Sequence, residues 1–298
     1  MKTGFKIVGM AMVLAGVSYV LYHLTLGHTL GVLAPQGRVA KEELTLIIIS
    51  TVLMLTVVLP VVGMTLGFAW KYRASNTSSI YRPNWSNNTA LEIIWWVIPI
   101  LIICILGAIT WASSHDLDPY RTLESNNTPI TIQVVALNWK WLFIYPQEGI
   151  ATVNYADIPI DTPITFQITA DAPMNSFWIP QLAGQIYAMP GMQTQLNILA
   201  DTIGEYHGAS ANFSGEGFSD MKFLVHAVSK SDYDTWVSVM QLSNNSLSSQ
   251  KYFTELFPNS VMTTRAYSSI APNLYTTIMS KYMLPQNTKQ SIDGIHMQ

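Results

Sequence analysis

The sequence predicts a membrane-anchored all-β protein: a transmembrane helical hairpin with an extra N-terminal helix before it, then a β-sandwich and a short C-terminal helical region. Two observations predict it. Only 11% of the 298 residues are charged, against about a quarter in an ordinary soluble domain, and residues 44–70 and 93–114 carry no charge at all. After residue 128 the apolar runs give way to short segments in which apolar and polar residues alternate, the period of a half-buried strand.

Each charge-free run, rising about 1.5 Å per residue as a helix, is long enough to cross roughly 30 Å of hydrocarbon. The two make a hairpin over residues 40–114. An earlier apolar run, "IVGMAMVLAGVSYVLYHLTL" from Ile7 to Leu26, follows Lys2 and Lys6. It is long for the apolar region of a signal peptide, so residues 1–30 are read as a retained membrane helix or uncleaved signal-anchor. A lipoprotein signal would need a cysteine just after this run, and Cys104 lies inside the last span.

The second span contains Pro60 and Gly63 and ends in "FAWKYRAS", an aromatic and basic edge suited to a membrane interface. A polar, turn-rich loop, "SNTSSIYRPNWSNNT", follows. The third span opens with Glu92 beside paired tryptophans and contains Pro99. Lys and Arg near span ends favour the cytoplasmic side, which puts Lys2, Lys6, Lys71, Arg73 and Arg82 inside. Beyond Ser114 acidic residues outnumber basic ones, and that whole region is expected outside.

Strands are expected in "ITIQVVALNWKWLFIY", "ATVNYADIPI", "PITFQITA", "QTQLNILA" and "MKFLVHAVS", all rich in Val, Ile, Thr and aromatics and separated by Pro, Gly and Asp. Their apolar faces require two packed sheets, here over residues 125–230. From residue 231 the chain becomes a helical extension and tail: Tyr233, Trp236, Val237 and Met240 have the spacing of one helix face, and "KYFTELF" and "PNLYTTIMSKYML" read as two more short helices.

With its one cysteine in a span, the outer domain has neither disulfide nor thiolate, which excludes a blue-copper site and any thiolate-bridged copper pair. No phosphate loop, dinucleotide fingerprint or nucleophile arrangement stands out, and an acidic outer domain argues against nucleic acid as a partner. Met189, Met192, His207, Met221 and His226 raise a second possibility, a free-standing membrane-anchored copper-binding or sensor module. Methionines in apolar strands are usually core filling, and His226 alternates with Leu224 and Val228, the pattern of a paired or surface histidine.

The order of two spans, the aromatic strand "LNWKWLFIYP", the turn "MNSFWIPQLAGQIYAMPGM" and the loop "GASANFSGEGFSDMKF" resembles subunit II of the haem-copper respiratory oxidases. The resemblance runs from about residue 40 to 240. It implies that the sandwich is a cupredoxin-like Greek key, which in cytochrome c-oxidising members holds a dinuclear copper centre. At the positions of that centre's ligands this chain has Asn175 for a histidine, Ser210 and Ser214 for the two cysteines, Asn212 for a glutamate and Phe218 for the second histidine. Only Met221 matches. Paired copper needs bridging thiolates, so the pattern is similar to the quinol-oxidising, bo-type branch, and "WKWLFIYPQEGIATVN" and "GQIYAMPGMQT" match that branch closely.

That branch implies a proton-pumping ubiquinol oxidase of the bacterial inner membrane, with the C-terminal domain in the periplasm. Haems, copper and ubiquinol are expected in subunit I, none of them in this chain, and no cytochrome c docks. The resemblance also implies a role for Glu92 at the mouth of a proton-uptake path. Physics alone leaves this level with a simpler reading, a carboxylate favoured by the dipole at a helix N-terminus. Trp139 and Trp141 flank Lys140 on one strand, which places both indoles on one face; such a face can be sandwich core or an edge on a membrane partner, and the resemblance favours packing against subunit I.

Overall fold

The computed structural model describes residues 30–78, 80 and 87–283, with Gly16 and Tyr19; the expected helix over Ile7–Leu26 falls outside them. Two compact units divide the chain, one comprising residues 42–121 and the other the remainder.

The first unit consists largely of two helices, α1 (Arg38–Lys71) and α2 (Thr89–Asp116), each long and apolar enough to cross a membrane. Pro60 and Pro99 sit inside them without ending them. Asn88 caps α2: its side-chain oxygen accepts from the backbone N–H of Ala90 and Leu91 at 3.1 and 3.3 Å, satisfying two of the donors a helix start leaves open. Large apolar side chains such as Trp96 and Trp111 lie exposed along α2. A helix with that surface needs a lipid environment or partner helices.

The second unit is a sandwich. One sheet has six strands in the order β12-β3-β2-β1-β5-β8 and the other five, β4-β10-β9-β6-β7. The strands in chain order are β1 (Ile130–Leu137), β2 (Lys140–Tyr145), β3 (Ile150–Val153), β4 (Tyr155–Pro159), β5 (Ile164–Ala170), β6 (Asn175–Ile179), β7 (Ala183–Ala188), β8 (Thr194–Ile198), β9 (Gly204–Ser210), β10 (Lys222–Val228) and β12 (Arg265–Tyr267). Most neighbours are antiparallel, but β1 runs parallel to β5 and β10 parallel to β4. Chain segments therefore cross between the sheets instead of meandering within one.

Between the sheets, Trp141, Phe143, Phe166, Phe177 and Phe223 form an aromatic centre with every ring buried. Residues 31–41 lie along an edge of this unit. Gln36 and Gly37 donate their N–H groups to the Gln181 carbonyl at 2.8 and 3.0 Å, and Asp201 donates to the Gln36 carbonyl at 3.1 Å. Gly37 permits the approach, since a Cβ there would fall 2.8 Å from the Leu182 carbonyl oxygen.

The C-terminal region adds a second core. Helix α3 (Lys230–Gln241) is capped by Ser229 and places Tyr233 and Met240 in the main core. Beyond it come β11 (Ser246–Leu247), a short helical stretch α4 (Ser249–Lys251) continuing as a π-turn, strands β12 and β13 (Ser269–Ile270), and α5 (Leu274–Ser280). Leu247, Tyr252, Leu256, Tyr267, Leu274 and Ile278 from this stretch cover Val135, Leu137, Leu142, Ile144 and Val153 on the other face of the six-stranded sheet. Every residue of β2 is consequently buried. Asp171 is the polar anchor of the cover, accepting from Tyr252 at 2.7 Å and from Tyr282, and pairing with Lys281 at 3.1 Å.

Two sequence expectations are corrected. The stretch "MNSFWIPQLAGQIYAMPGM" is a hairpin of β6 and β7 rather than a turn. The C-terminal segment contributes strands as well as helices, β12 pairing with β3 at a sheet edge. His226, by contrast, is paired as its alternation suggests, 2.6 Å from Asp157 on the neighbouring strand. Burial raises the Asp157 carboxyl pKa, and the bond to His226 opposes that rise.

Lys140 shows the consequence of burying both faces of β2. Its ammonium is shut in by residues 258–260, donating to the Pro258 carbonyl at 2.9 Å and the Ser260 hydroxyl at 2.8 Å. Desolvation, helped by the nearby Arg265 charge, lowers its pKa from 10.5 to about 8. Between those two values the unfolded chain binds more protons than the folded one, so the Lys140 contribution to stability rises as pH rises through the window. Denaturant unfolding of the full chain and of Lys140→Met in detergent, compared from about pH 8 to 10.5, should show the unmodified chain gaining stability relative to the variant as pH rises; the buried tyrosines, whose raised pKa values pull the other way, act equally in both.

Candidate functional site

The positions matched to copper ligands lie where β6, β9 and the loop before β10 converge. Three of them form a hydrogen-bonded knot. The Ser210 hydroxyl donates to the Asn175 side-chain oxygen at 2.9 Å and approaches the Asn212 carbonyl at 3.3 Å. Asn175 in turn donates to the Pro173 carbonyl at 2.7 Å, and Asn212 to the Met174 carbonyl at 3.1 Å. Backbone bonds close the arrangement: Ser210 N–H reaches the Met221 carbonyl at 3.1 Å and Ala211 N–H the Ser176 carbonyl at 3.0 Å.

Asn175, Ser210 and Met221 are all buried. Met221 belongs to the main core, the role expected of a methionine in apolar surroundings. Ser214 and Phe218 lie on the following turn. The Phe218 ring meets Phe213 edge-on, centroids 5.6 Å apart, and Phe213 is left 77% exposed.

The chemistry of this donor set does not fit a copper pair. Two hydroxyls, two amides, a phenyl ring and one thioether offer no thiolate to bridge the metals and no imidazole to complete them. Among the described residues, no group of three or more His, Cys, Asp or Glu side chains could hold a metal ion. What the arrangement can do is close a loop, because Asn175, Ser210 and Asn212 each find a partner, while the buried Ser214 hydroxyl finds none among the described residues.

The expected placement of Trp139 and Trp141 on one strand face, packed together against subunit I, is corrected. Trp139 precedes β2 with a positive φ of 64°, so strand alternation does not reach it. Trp141 is wholly inside the protein, 5.2 Å from Phe177 and 5.6 Å from Phe223 between ring centroids, and offers no surface to another chain. Trp139 is partly buried and lies against the ligand-position loop: a Cβ on Gly217 would fall 2.3 Å from its indole. Gly217 is small because that ring occupies the space.

Sequence reasoning also missed partners that are backbone groups, the carbonyls of Pro173, Met174 and Ser176. No residue type announces such acceptors. Asp171 carried a readable signal, a carboxylate between two apolar stretches that must find a donor if it is buried.

Glu92 lies in the first turn of α2, one turn inside the Asn88 cap. It is partly buried.

A membrane-anchored sandwich of this build defines a class, and the comparisons agree. The family model for the cytochrome c oxidase subunit II periplasmic domain matches residues 147–228, and the sandwich is cupredoxin-like. Cytochrome bo(3) ubiquinol oxidase subunit 2 of Pseudomonas aeruginosa is 49% identical over 262 residues, covering 88% of this chain and 79% of that protein. Ubiquinol oxidase subunit 2 of Acetobacter aceti is 49% identical over 271 residues, covering 90% and 87%. Among solved structures, the periplasmic domain of cytochrome oxidase subunit II from Bradyrhizobium japonicum superposes with a TM-score of 0.37 at 19% identity, covering 40% of this chain and 96% of that one. The chain belongs to the ubiquinol oxidase subunit 2 family.

Two substitutions test this account of the site. Ser210→Ala leaves the buried Asn175 oxygen without its donor and should lower stability by about 1–3 kcal/mol. Trp141→Ala should lower the stability of the isolated full chain by about 3–5 kcal/mol, more than Trp139→Ala does. Both are read from denaturant unfolding in detergent, and equal losses at the two tryptophans would contradict the core assignment of Trp141.

Proposed function

We propose that this chain is the second subunit of a proton-pumping ubiquinol oxidase in a bacterial inner membrane, with its sandwich in the periplasm, and that it carries no redox centre of its own. The observation behind this reading is the hydrogen bond between Ser210 and Asn175 at positions where an electron-accepting copper pair needs sulfur and imidazole. Ubiquinol is dissolved in the bilayer and delivers electrons there, so an outer port for a water-soluble donor has no use. Subunit I supplies the haems, copper and quinol site; the present chain contributes two spans and a rigid outer domain. The names of the relatives support this assignment.

Glu92 is the one residue of the chain to which this reading gives a part in proton movement. An ionisable group near the end of a membrane span is expensive and tends to be functional. A carboxylate at the rim can collect protons from water and pass them inward to a partner. Asn88 already caps α2, so capping alone does not account for a carboxylate one turn further in. Trp139 remains the candidate for contact with subunit I.

In the assembled enzyme Glu92→Gln should slow oxygen reduction several-fold without changing subunit composition, followed with an oxygen electrode; unchanged turnover would reduce Glu92 to a dipole-stabilising carboxylate. The full chain should co-purify with a haem-bearing, many-span membrane protein and bind no copper tightly. Stoichiometric copper on the chain by itself would favour a free-standing copper module.

A further inference from the structure

Between Glu43 and Glu92 the chain has no carboxylate, yet Lys71, Arg73 and Arg82 all fall in that stretch. Lys71 is the last residue of α1, and Arg73 follows in the turn after it. Arg73 is held at three points: its guanidinium lies 5.4 Å from the centre of the Trp70 ring, Nη1 donates to the Trp70 carbonyl at 2.9 Å, and Nε donates to the Ser75 hydroxyl at 3.0 Å. These bonds take two of the five N–H donors of a guanidinium and fix the direction of the rest of the fork. The Lys71 ammonium stands 5.7 Å from the centre of the Tyr72 ring.

A helix C-terminus repels an anion because its last carbonyls carry partial negative charge. Here side chains cover two of them. Arg73 takes the Trp70 carbonyl, and Asn76 Nδ2 donates to the Lys71 carbonyl at 2.6 Å. Two full positive charges then dominate this end of the helix. A phosphate group suits the pair, since it accepts the guanidinium fork and the compact charge of an ammonium together.

The neighbouring side chains indicate where the phosphate comes from. Phe68, Trp70 and Tyr72 all lie exposed around the two cations, and tryptophan and tyrosine gather at the boundary between a membrane and water. The charge-free run over residues 44–70, at about 1.5 Å per residue, is roughly 40 Å long, the thickness of the hydrocarbon together with its two interfacial layers. Its end therefore falls among headgroups. Every residue involved belongs to the unit over residues 42–121. A zwitterionic headgroup would set its own ammonium against Lys71 and Arg73, whereas a headgroup of net negative charge brings no such repulsion. We infer that the C-terminal end of α1 binds the phosphate of an anionic phospholipid through Arg73 and Lys71. Binding of this kind requires α1 to cross a membrane and is independent of the oxidase reading.

Native mass spectrometry of the full chain in detergent tests it, with phosphatidylglycerol, phosphatidylethanolamine and phosphatidylcholine added in turn. Phosphatidylglycerol should be retained about twentyfold more tightly than the other two, each cation beside an anionic headgroup contributing about fivefold. Arg73→Gln and Lys71→Gln should each cut that preference about fivefold, and the double variant should abolish it. Lys222→Gln, which removes an exposed cation on β10, should keep it. Should Arg73→Gln fail to fold, Lys71→Gln and the lipid series on the unmodified chain decide. Equal retention of the three lipids, or a preference unchanged when both cations are removed, overturns the inference. So does displacement of the lipid by an equal concentration of glycerol 3-phosphate, which would make a soluble phosphate the occupant.

Discussion

The sandwich depends on how the end of its five-stranded sheet is closed. There the loop between β9 and β10 is tied to the start of β6 by the Ser210 hydroxyl on the Asn175 oxygen, and Asn212 fastens the loop to the Met174 carbonyl. A metal centre at this place would cross-link the same segments with stronger bonds and would itself contribute folding free energy. Hydrogen bonds between neutral groups are individually modest, about 1 kcal/mol net. The chain makes several of them together and backs them with Met221 in the core and the Trp139 indole packed on Gly217.

The other end of the design is the double burial of the six-stranded sheet. An antiparallel-rich sheet often keeps one face in water. Here the C-terminal segment covers the outer face of β1, β2 and β3, which converts a two-layer sandwich into three layers. The cover makes an aromatic-rich strand out of "KWLFIY" and forces the Lys140 ammonium to find the Pro258 carbonyl and Ser260 hydroxyl.

Much of this was legible in the chain. The two charge-free runs gave the spans because hydrocarbon thickness imposes a length, and alternation after residue 128 gave the sandwich because the strand period is two. That the loop over residues 208–223 holds no cysteine or histidine was also readable, since ligand chemistry belongs to residue types. Other features were not. Pro180 and the glycines at 184 and 191 made the β6–β7 hairpin look like a loop. Trp141 was placed on a surface because nothing local distinguishes an inward from an outward indole, and the positive φ of Trp139 shifted the alternation by breaking the strand before Lys140. The backbone acceptors of the knot were invisible because every residue carries one. The cover over the outer face depends on contacts more than 100 residues apart, such as Asn154 with the Met262 carbonyl.

The central claim is that protein groups alone hold this loop in the place of a metal centre. Amide hydrogen exchange at Ser210 and Ala211, whose N–H groups bond to Met221 and Ser176, tests it directly when the full chain is compared with and without a strong copper chelator. Protection that is the same in both conditions, and that falls when Ser210 loses its hydroxyl, is the result this account predicts. Protection that collapses on chelation and returns with added copper would contradict it.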